Sequence, residues 1–448
     1  MGIPHFLAIP YPIPGHVNPL MQLSHLLSKH GCKITFLNTD YIHKRTNNNI
    51  SISDKNNLKN EPTTINFVTL PDGLEPEDDR SDHKKVIFSI KRNMPLMLPK
   101  VIEEVNDLDV ENKISCIIAT FNMGWALEVG VNLGIKGVLL WTASATSLAC
   151  CYRIPQLIHN GTIDSQGFPT KAQEIQLSPN MPMMNTTNFP WRAHDKILFD
   201  HIVQEMSTVE LGHWWLCNTT HNLEHATFSI SPKILSIGPL MSNEINNSSF
   251  WQEDTTCLDW LDQHPPQSVI YVSFGSLAVM DQNQFNELAL GLDLVNKPFL
   301  WIVRPSNDNK VNYVYPDEFV GTKGKIVGWG PQKKILNHPS VACFVSHCGW
   351  NSTIEGVYCG VPFLCWPFSG DQFVNKSYIC DVWKVGVELN KDENGLTSRE
   401  EIKEKVEELL GDQGIQERSL KLKKLTLDNI VEEGHSSKNL KNFINWAK

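Results

Sequence analysis

Apolar and polar positions along this chain follow a rhythm of short buried segments and longer helical ones, and the rhythm occurs twice. The first half contains the apolar runs HFLAIPY, KITFLNT, INFVTL, SCIIAT and KGVLLW, and a helical pattern places Leu20, Leu23 and Leu27 on one face. The second half contains SVIYVSF, PFLWIVR, KIVGW, VACFVS and VPFLCW, with a helical pattern from Phe285 to Leu294. Strands that alternate with helices form βαβ units and parallel sheets. The pattern therefore predicts an α/β chain with two doubly wound sheets.

Length and a change in composition predict two domains. The chain has 448 residues, more than one ordinary core accommodates. The passage ending in KILSIGPL is followed by the polar stretch NEINNSSFWQEDTT. We therefore expect domains over residues 1–240 and from 257 onward, joined by a linker over 241–256, with ligands bound at the strand ends around a shared cleft. The polar stretch NNNISISDKNNLKNEP is expected to be a surface loop or disordered insertion.

Composition narrows the class of partner. Hydrophobic residues make up 41% of the chain, and the formal net charge is −10. An acidic protein repels nucleic-acid phosphates unless it carries a strong basic patch. The densest basic residues, Lys323, Lys325, Lys333 and Lys334, are more typical of an exposed rim. We therefore expect no nucleic-acid partner.

The apolar stretches and the cysteines indicate in which compartment the protein is expected and whether it is expected to bind a metal. We find neither a secretory leader nor the roughly 18 uninterrupted apolar residues that span a bilayer, so a cytoplasmic protein without a transmembrane segment is expected. The 11 cysteines follow no repeating spacing and are expected to be reduced packing residues. Cys343, His347 and Cys348 lack the paired spacing of zinc sites, so no metal site is expected.

The segment SHCGWNSTIEG has the features of a phosphate-binding junction. The apolar run VACFVS leads to His347, and Asn351, Ser352 and Thr353 open a helical pattern. Unpaired backbone N–H groups and the positive end of the helix dipole converge where a strand leads into a helix. The imidazole and the small polar side chains add hydrogen bonds, so this junction is a candidate phosphate site.

Residues around this junction complete a candidate nucleotide site. Glu355 lies one turn beyond Asn351 on the same side of the helix, where a carboxylate accepts hydrogen bonds from two vicinal ribose hydroxyls. Trp329 and Gln332 supply a flat stacking surface and an amide, and stacking of a base contributes roughly 1 to 3 kcal/mol. Each of these residues alone is more often structural than ligand-binding. Their order within one segment is what favours a nucleotide.

His16 is the candidate for acid–base chemistry. In PYPIPGHVNPL it follows a strand and a Pro-Gly turn, just before a helix, which aims it into the cleft. An unperturbed pKa of about 6.5 leaves a histidine largely neutral at cytosolic pH, so that it accepts a proton from a hydroxyl. Ser276 in VSFGS also follows a strand and offers a hydroxyl to a phosphate.

The segment from Trp329 to Gln372 resembles the signature box of plant UDP-dependent glycosyltransferases in length, in order and in nearly every diagnostic residue. The likeness extends from PYPIPGHVNP to the end of the chain. This resemblance implies the GT-B fold, with two Rossmann-like domains that face a central cleft. The N-terminal domain binds the acceptor, residues 257–425 bind the nucleotide sugar, and the last helix, within residues 426–448, crosses back to the N-terminal domain.

The resemblance also implies a role for each site residue. These roles are uracil contacts for Trp329 and Gln332, a ribose contact for Glu355, diphosphate contacts for His347, Asn351 and Ser352, sugar contacts for Trp350, Asp371 and Gln372, and a uracil or sugar contact for Thr142. In this family a final Gln preceded by Asp accompanies glucose, so the box implies UDP-glucose as the donor.

The implied reaction is an inverting hexosyl transfer without cofactor or metal. His16, the counterpart of the family's general base, deprotonates a small hydrophobic acceptor, whose oxygen displaces UDP at the anomeric carbon to give a β-glucoside. We expect a monomer. A dehydrogenase or kinase is disfavoured, because the chain has neither a strand-borne G-x-G-x-x-G nor a G-x-x-x-x-G-K-[ST] loop.

One residue departs from the family pattern. Most relatives carry an Asp after the strand corresponding to SCIIA, where this chain has Thr120. Asn122, two residues on, is the second candidate hydrogen-bond partner of the imidazole, but neither side chain carries the charge that stabilises a protonated His16. We therefore expect a weaker base and acidic acceptor hydroxyls, of phenols such as flavonoids. A non-catalytic UDP-sugar-binding relative, a C-glycosyltransferase and a terpenoid or hormone glucosyltransferase are the alternatives.

Overall fold

The computed structural model describes residues 3–49, 65–191, 195–241, 253–276, 278–304 and 313–448, which fall into two compact units. Unit 1 consists of Met1–Thr187, His194–Phe250 and Asn429–Lys448, and unit 2 of Asn188–Ala193 and Trp251–Asp428. The predicted surface loop at 47–62 begins as the end of a helix, because residues 47–49 are helical. Its remainder, and residues 242–252 of the predicted linker, lie outside the described residues.

Unit 1 is built on a parallel sheet. The strands of the unit are β1 (His5–Ile9), β2 (Lys33–Thr39), β3 (Ile65–Leu70), β4 (Cys116–Thr120), β5 (Lys136–Trp141), β6 (Glu174–Ile175), β7 (Met184–Asn185), β8 (Trp214–Cys217) and β9 (Ile234–Ser236). Among the described residues the sheet has the order β3-β2-β1-β4-β5-β8-β9, and every neighbouring pair is parallel. Strands β6 and β7 form a separate antiparallel pair. The strand order therefore reverses between β1 and β4.

Helices connect these strands. They are α1 (Pro14–Lys29), α2 (Asp40–Asn49), α3 (His83–Leu108), α4 (Trp125–Asn132), α5 (Ala145–Tyr152), α6 (Ile154–His159), α7 (Lys196–Val209) and α8 (His221–Glu224). The predicted apolar face of α1 is confirmed, because Leu20, Leu23 and Leu27 are all buried. Pro14 begins α1 at the position where its missing N–H costs nothing.

Unit 2 repeats the parallel arrangement. Its elements are α9 (Thr256–Leu261), β10 (Val269–Ser273), α10 (Gln282–Val295), β11 (Phe299–Ile302), β12 (Gly324–Val327), α11 (Gln332–Leu336), β13 (Val341–Ser346), α12 (Trp350–Cys359), β14 (Phe363–Cys365), α13 (Gln372–Ser377), β15 (Gly386–Glu388), α14 (Arg399–Gly411) and α15 (Gln413–Leu427). The strands that the structure describes run parallel in the order β12-β11-β10-β13-β14-β15. The order reverses here between β10 and β13.

The last helix of the chain, α16 (His435–Ala447), belongs to unit 1. The ring of its Phe443 lies 5.5 Å from the ring of Phe6 on β1, centroid to centroid. Lys136 at the start of β5 donates a hydrogen bond of 2.7 Å to the carbonyl oxygen of Trp446. Both contacts join the end of the chain to the central sheet of unit 1.

The two cores explain why the central strands are continuous apolar runs. Strands β1, β4, β10 and β13 are buried along their whole length. Parallel strands covered by helices on both faces have no polar side to present. The predicted α/β class is confirmed.

Among the helices of the described chain, none combines the length and the apolar character needed to span a bilayer.

A buried carboxylate holds the helix that follows β5. Glu224, at the end of α8, accepts hydrogen bonds from the backbone N–H groups of Ala145 at 3.0 Å and Thr146 at 2.8 Å. It also accepts one from the Thr146 hydroxyl at 2.7 Å. Burial raises the pKa of Glu224, and these hydrogen bonds favour its ionised form. The carboxylate thereby fixes the turn between β5 and α5.

We predict that Glu224→Ala lowers the free energy of unfolding by roughly 2 to 4 kcal/mol, because three buried donors lose their acceptor. The shift of the urea unfolding midpoint measures this loss. Glu103→Ala, at an exposed position of α3, is the matched control and is expected to change stability by less than about 0.5 kcal/mol. Equal losses in the two variants would show that the Glu224 contacts do not hold this turn.

Candidate active site

His16 lies where the strand order of unit 1 reverses. Strand β1 ends at Ile9, and α1 begins at Pro14, so His16 stands in the first turn of the helix. Its backbone N–H donates to the carbonyl oxygen of Ile13 at 3.0 Å. The neighbouring strand β4 ends at Thr120, and the register pairs Ile9 with Ala119. The sheet topology therefore brings His16 and Thr120 to the same edge.

Thr120 is the hydrogen-bond partner of the His16 ring. Its Oγ1 lies 3.0 Å from His16 Nδ1 and accepts a hydrogen bond of 2.8 Å from the backbone N–H of Tyr11. Thr120 is fully buried, and the Tyr11 ring packs edge-on against the imidazole at 5.5 Å between centroids. Thr120 therefore lies against the imidazole at the buried edge of the sheet.

Burial sets the protonation state of His16. Desolvation lowers the pKa of His16 to about 3, and the nearby His83 acts in the same direction. The imidazole is therefore neutral at physiological pH. In the described part of the chain, its ring makes no hydrogen bond to a carboxylate.

Asn122 does not bond to His16, in contrast to the contact considered from the sequence. Its Oδ1 instead lies 3.0 Å from Nε2 of His201 on α7. The reason is the backbone turn after β4: Asn122 has a φ of 71°, and the N–H of Met123 donates back to the Thr120 carbonyl at 3.0 Å. This tight turn directs the amide toward α7, and among the described residues Thr120 is the hydrogen-bond partner of the imidazole.

A buried carboxylate supports the same turn. Oε2 of Glu205 on α7 accepts a hydrogen bond of 3.1 Å from the N–H of Gly124, and Oε1 lies 3.9 Å from Nζ of Lys91 on α3. Burial raises the pKa of Glu205. A Cβ at position 124 would overlap Thr208, so only glycine fits here. His201 and Glu205 were missed from the sequence, although their spacing of four residues puts both on one face of α7.

Thr142 follows β5, the strand beside β4. It is largely buried, and the strand register pairs Thr120 with Leu140, two residues before it. Next to it, the Trp141 ring packs edge-on against Phe121 at 4.9 Å between centroids, and its Nε1 donates to the Ser144 carbonyl at 2.9 Å. The structure thus places Thr142 at the same edge of the sheet as Thr120.

His347 occupies the corresponding position in unit 2. It follows β13, and its ring is seated between Gly275, after β10, and Gly349. A Cβ on Gly275 would lie 2.7 Å from the imidazole, and one on Gly349 would overlap it, so both positions require glycine. Gly275 also has a φ of +67°, which favours glycine. The two glycines make room for the ring at the strand ends.

The Nδ1 atom of His347 is buried and has no hydrogen-bond partner among the described residues. Burial lowers the pKa of His347 to about 4, and the charge of Arg304 acts in the same direction. A buried polar atom without a partner is costly, so this nitrogen fits a group that a ligand or water supplies.

Helix α12 presents its N-terminus at the same place. It begins at Trp350 after the cap residue Gly349, which contributes no side-chain hydrogen bond to the first turn. Asn351 and Ser352 are the next two residues of that turn. The first N–H groups of a helix and the positive end of its dipole attract an anion. The strand, the glycine turn and the helix N-terminus that the sequence predicts at this junction are therefore present.

The side chains predicted for base and ribose form one hydrogen-bonded group. Nε2 of Gln332 donates to Oγ of Ser352 at 2.9 Å and to Oε2 of Glu355 at 2.7 Å. The Tyr271 hydroxyl donates to Oε1 of Gln332 at 3.2 Å. Burial raises the pKa of Glu355, while the Gln332 amide favours its ionised form. Trp329, three residues before Gln332, is half-buried.

Tyr271 was missed from the sequence, where SVIYVSF was treated as an apolar strand. A tyrosine inside a buried strand needs a partner for its hydroxyl, and that need was the available signal. Arg304 was missed as well. Its guanidinium donates to the carbonyl oxygens of Ser276 and Ala278, so it shapes the loop that carries the predicted Ser276 hydroxyl.

The residues predicted to face the sugar are held within their own loop. Oε1 of Gln372 accepts from the backbone N–H groups of Phe368 at 2.7 Å and Ser369 at 3.0 Å. Oδ2 of Asp371 accepts from Asn375 at 2.8 Å. These bonds fix the loop between β14 and α13.

Two further contacts join this region to the start of α12. The same Asn375 amide donates to the carbonyl oxygen of Cys348 at 2.9 Å, next to the phosphate-binding junction. Trp350 is buried, with its ring 6.5 Å from that of Trp383, centroid to centroid. Its contribution to a sugar site is therefore limited to the part of the indole that stays accessible.

Comparison with known proteins gives the family. A family model described as UDP-glucoronosyl and UDP-glucosyl transferase matches residues 182–434. UDP-glycosyltransferase 83A1 of Arabidopsis thaliana is 40% identical, with 100% of this chain and 97% of that protein covered. Linamarin synthase 1 of Manihot esculenta is 34% identical, with 98% of this chain and 96% of that protein covered.

Solved structures show the same fold. A glycosyltransferase of Phytolacca americana, complexed with UDP-2fluoro-glucose and pterostilbene, has a TM-score of 0.82 at 24% identity, covering 99% of both chains. A second one, of Medicago truncatula complexed with UDP-glucose, also has a TM-score of 0.82 at 24% identity, covering 99% of this chain and 98% of that one. The predicted GT-B fold is confirmed. The chain belongs to the plant UDP-glycosyltransferases, family 1 of the glycosyltransferases, and is an enzyme of that class.

Proposed function

We propose that this enzyme transfers glucose from UDP-glucose to an acidic hydroxyl, phenolic and flavonoid-like, of a small apolar metabolite and gives a β-glucoside. Glucose as the sugar is supported by the pair Asp371 and Gln372 and by a relative named as a glucosyltransferase, that of 7-deoxyloganetin in Catharanthus roseus, which is 32% identical. The phenolic acceptor is supported by the uncharged partner of His16. A terpenoid hydroxyl is the second candidate acceptor.

The observation that carries the proposal is the buried Nδ1 of His347, which has no hydrogen-bond partner among the described residues and lies beside the N-terminus of α12, where the cap residue Gly349 makes no side-chain hydrogen bond. A diphosphate supplies acceptor oxygens to both. In the proposed complex, His347, Asn351, Ser352 and the Ser276 hydroxyl contact the diphosphate. The uracil stacks on Trp329 near Gln332, the ribose hydroxyls donate to Glu355, and Trp350, Asp371 and Gln372 contact the sugar. Thr142 is proposed to contact the uracil or the sugar.

The transfer is a direct displacement at the anomeric carbon. The acceptor oxygen forms a bond to that carbon while the bond to the diphosphate breaks, and the electron pair leaves with UDP. The configuration inverts. The helix N-terminus stabilises the charge that grows on the leaving diphosphate, without a metal or cofactor in the proposed mechanism. We further propose that the enzyme acts as a monomer in the cytoplasm.

His16 is the residue proposed to meet the acceptor oxygen. A positioned group that takes up or polarises a proton contributes typically 10² to 10⁴ in rate. With its pKa lowered to about 3 by burial, the neutral ring is a weak base. A phenol, with a pKa of about 10, releases its proton more readily than an aliphatic alcohol, which favours acidic acceptors.

We predict that Glu355→Ala weakens UDP binding by roughly 10- to 100-fold, because two charge-assisted hydrogen bonds to the ribose are lost. Titration calorimetry with UDP and with 2′-deoxy-UDP measures the coupling between this carboxylate and the ribose. The wild type is expected to bind 2′-deoxy-UDP more weakly than UDP, and the variant is expected to bind both with the same affinity. Glu404→Ala, at an exposed position of α14, is the control. A wild type without affinity for UDP would overturn the proposed function.

We predict that His16→Ala lowers kcat by about 10² to 10⁴ and leaves the dissociation constant of UDP within about twofold. Release of UDP from UDP-glucose in the presence of a phenol panel measures turnover, and calorimetry measures binding. A variant that keeps full turnover would remove His16 from the reaction.

We predict that phenols are glucosylated faster than aliphatic alcohols of matched size and polarity, because the weak base of this enzyme gives little help to an alcohol. The measurement compares kcat/KM across matched pairs. Equal rates would refute the phenolic assignment, and a preference for terpenoid alcohols would favour the second candidate acceptor.

A further inference from the structure

We propose that Thr120 fixes His16 in the tautomer that carries its proton on Nε2, so that the ring offers the acceptor an N–H donor and the enzyme selects hydroxyls that bind as oxyanions. This inference rests on the proposed function for the position of the acceptor oxygen at His16. Thr120 is a positioning residue in this account, because it acts on the acceptor only through His16.

In the described part of the chain, the Thr120 hydroxyl makes two hydrogen-bond contacts. Its oxygen accepts from the backbone N–H of Tyr11 at 2.8 Å, and this direction is fixed because an amide N–H only donates. Its other contact is His16 Nδ1 at 3.0 Å. Thr120 is fully buried, and the described residues provide no further partner for its side chain.

The number of protons available decides the direction of the bond between Thr120 and His16. A hydroxyl has one proton to donate, and His16 Nδ1 is its only acceptor among the described residues. If Nδ1 carried the ring proton, two donors would point at Oγ1 and the hydroxyl proton would be buried without an acceptor. The cost of a buried donor without an acceptor shifts the equilibrium between the two tautomers of His16 by roughly tenfold or more. The hydroxyl therefore donates to Nδ1, and the ring proton resides on Nε2.

The replacement of a carboxylate by threonine thus reverses the direction of the hydrogen bond. A carboxylate only accepts, and it holds a histidine with the proton on Nδ1 and the lone pair on Nε2, ready to take a proton. Thr120 donates, so the lone pair of the ring lies on Nδ1, the nitrogen that contacts Thr120. In a serine protease, the corresponding wrong tautomer lowers turnover by about 10⁴.

The N–H on Nε2 suits an ionised acceptor. An oxyanion accepts a hydrogen bond from Nε2, attacks the anomeric carbon and displaces UDP, which leaves with the electron pair. No proton moves to His16 in this step, and the charge passes from the acceptor oxygen to the diphosphate. The favoured class is therefore acidic phenols that ionise near neutral pH.

Among the described residues near His16, Tyr11, His83 and Arg80 do not supply the missing base. Burial raises the pKa of Tyr11, so its hydroxyl stays protonated. Burial also lowers the pKa of His83, which leaves that imidazole neutral at physiological pH. The Arg80 guanidinium, on the loop before α3, is paired with Asp72 at 2.8 Å and is a donor only. The pH dependence expected for the reaction is therefore that of the acceptor itself.

The direct test is ¹⁵N NMR of the histidine rings in the whole enzyme. Long-range proton–nitrogen correlations distinguish a protonated ring nitrogen from a bare one, and the signals of His16, one of 16 histidines, are identified by their loss in His16→Gln. We expect a protonated Nε2 and a bare Nδ1 in the wild type and in Thr120→Ser. We expect the reverse in Thr120→Asp. A wild type with its proton on Nδ1 overturns the inference.

A kinetic test uses phenols of graded pKa. For the wild type, kcat/KM is expected to rise about tenfold per pH unit and to level off at the pKa of each phenol, since only the phenolate reacts. A neutral phenol deprotonated by His16 would instead give a flat profile over this range, and that result overturns the inference. Thr120→Asp is expected to flatten the pH profile of kcat/KM. It is also expected to reduce the ratio of kcat/KM for phenols to that for alcohols.

The outcomes separate this inference from the proposed function. If the wild type transfers no glucose to any acceptor while NMR finds the proton on Nε2, the proposed function fails and the tautomer assignment stands. If transfer occurs with the proton on Nδ1, only the tautomer inference fails. Should Thr120→Asp not fold, the wild type and Thr120→Ser decide the question, because both keep a hydroxyl at this position.

Discussion

The reversal of strand order in each parallel sheet is the constraint on which the rest of the structure depends. In unit 1 it falls between β1 and β4, and in unit 2 between β10 and β13. The connections that leave such a pair of strands diverge, so their carboxyl ends border an opening that no connection covers. His16 and Thr120 meet at the first reversal, and Gly275 and His347 at the second. Residues far apart in sequence are thereby brought into contact by topology alone.

Burial at these openings gives both histidines the same electrostatic character. Desolvation lowers the pKa of His16 to about 3 and that of His347 to about 4, so neither ring is charged at physiological pH. A neutral imidazole contributes hydrogen bonds but no countercharge. In the proposed function the positive end of α12 stabilises the diphosphate, and the glycines around His347 let the ring lie beside that helix end.

The sequence predicted the elements whose signal is local. Continuous apolar runs predicted the central strands, and the order of Trp329, His347 and Glu355 predicted which segment carries the candidate nucleotide site. Contacts set by tertiary structure were not predictable in this way. The turn after β4 carries Asn122 toward α7, and the Glu205 carboxylate that supports this turn comes from a helix about 80 residues away along the chain. No pattern within the strand reveals either one.

In the proposed mechanism Thr120 acts on His16 through the direction of its hydrogen bond as well as through its lack of charge. Asn122 cannot take over the role, because its amide oxygen is committed to His201 and its φ of 71° turns it from the imidazole. The Thr120 oxygen accepts from the Tyr11 N–H, and in the part of the chain that the structure describes its hydroxyl proton has His16 Nδ1 as its one acceptor. The backbone of the first loop thus determines which ring nitrogen of His16 is bare, and with it the acidity that an acceptor needs.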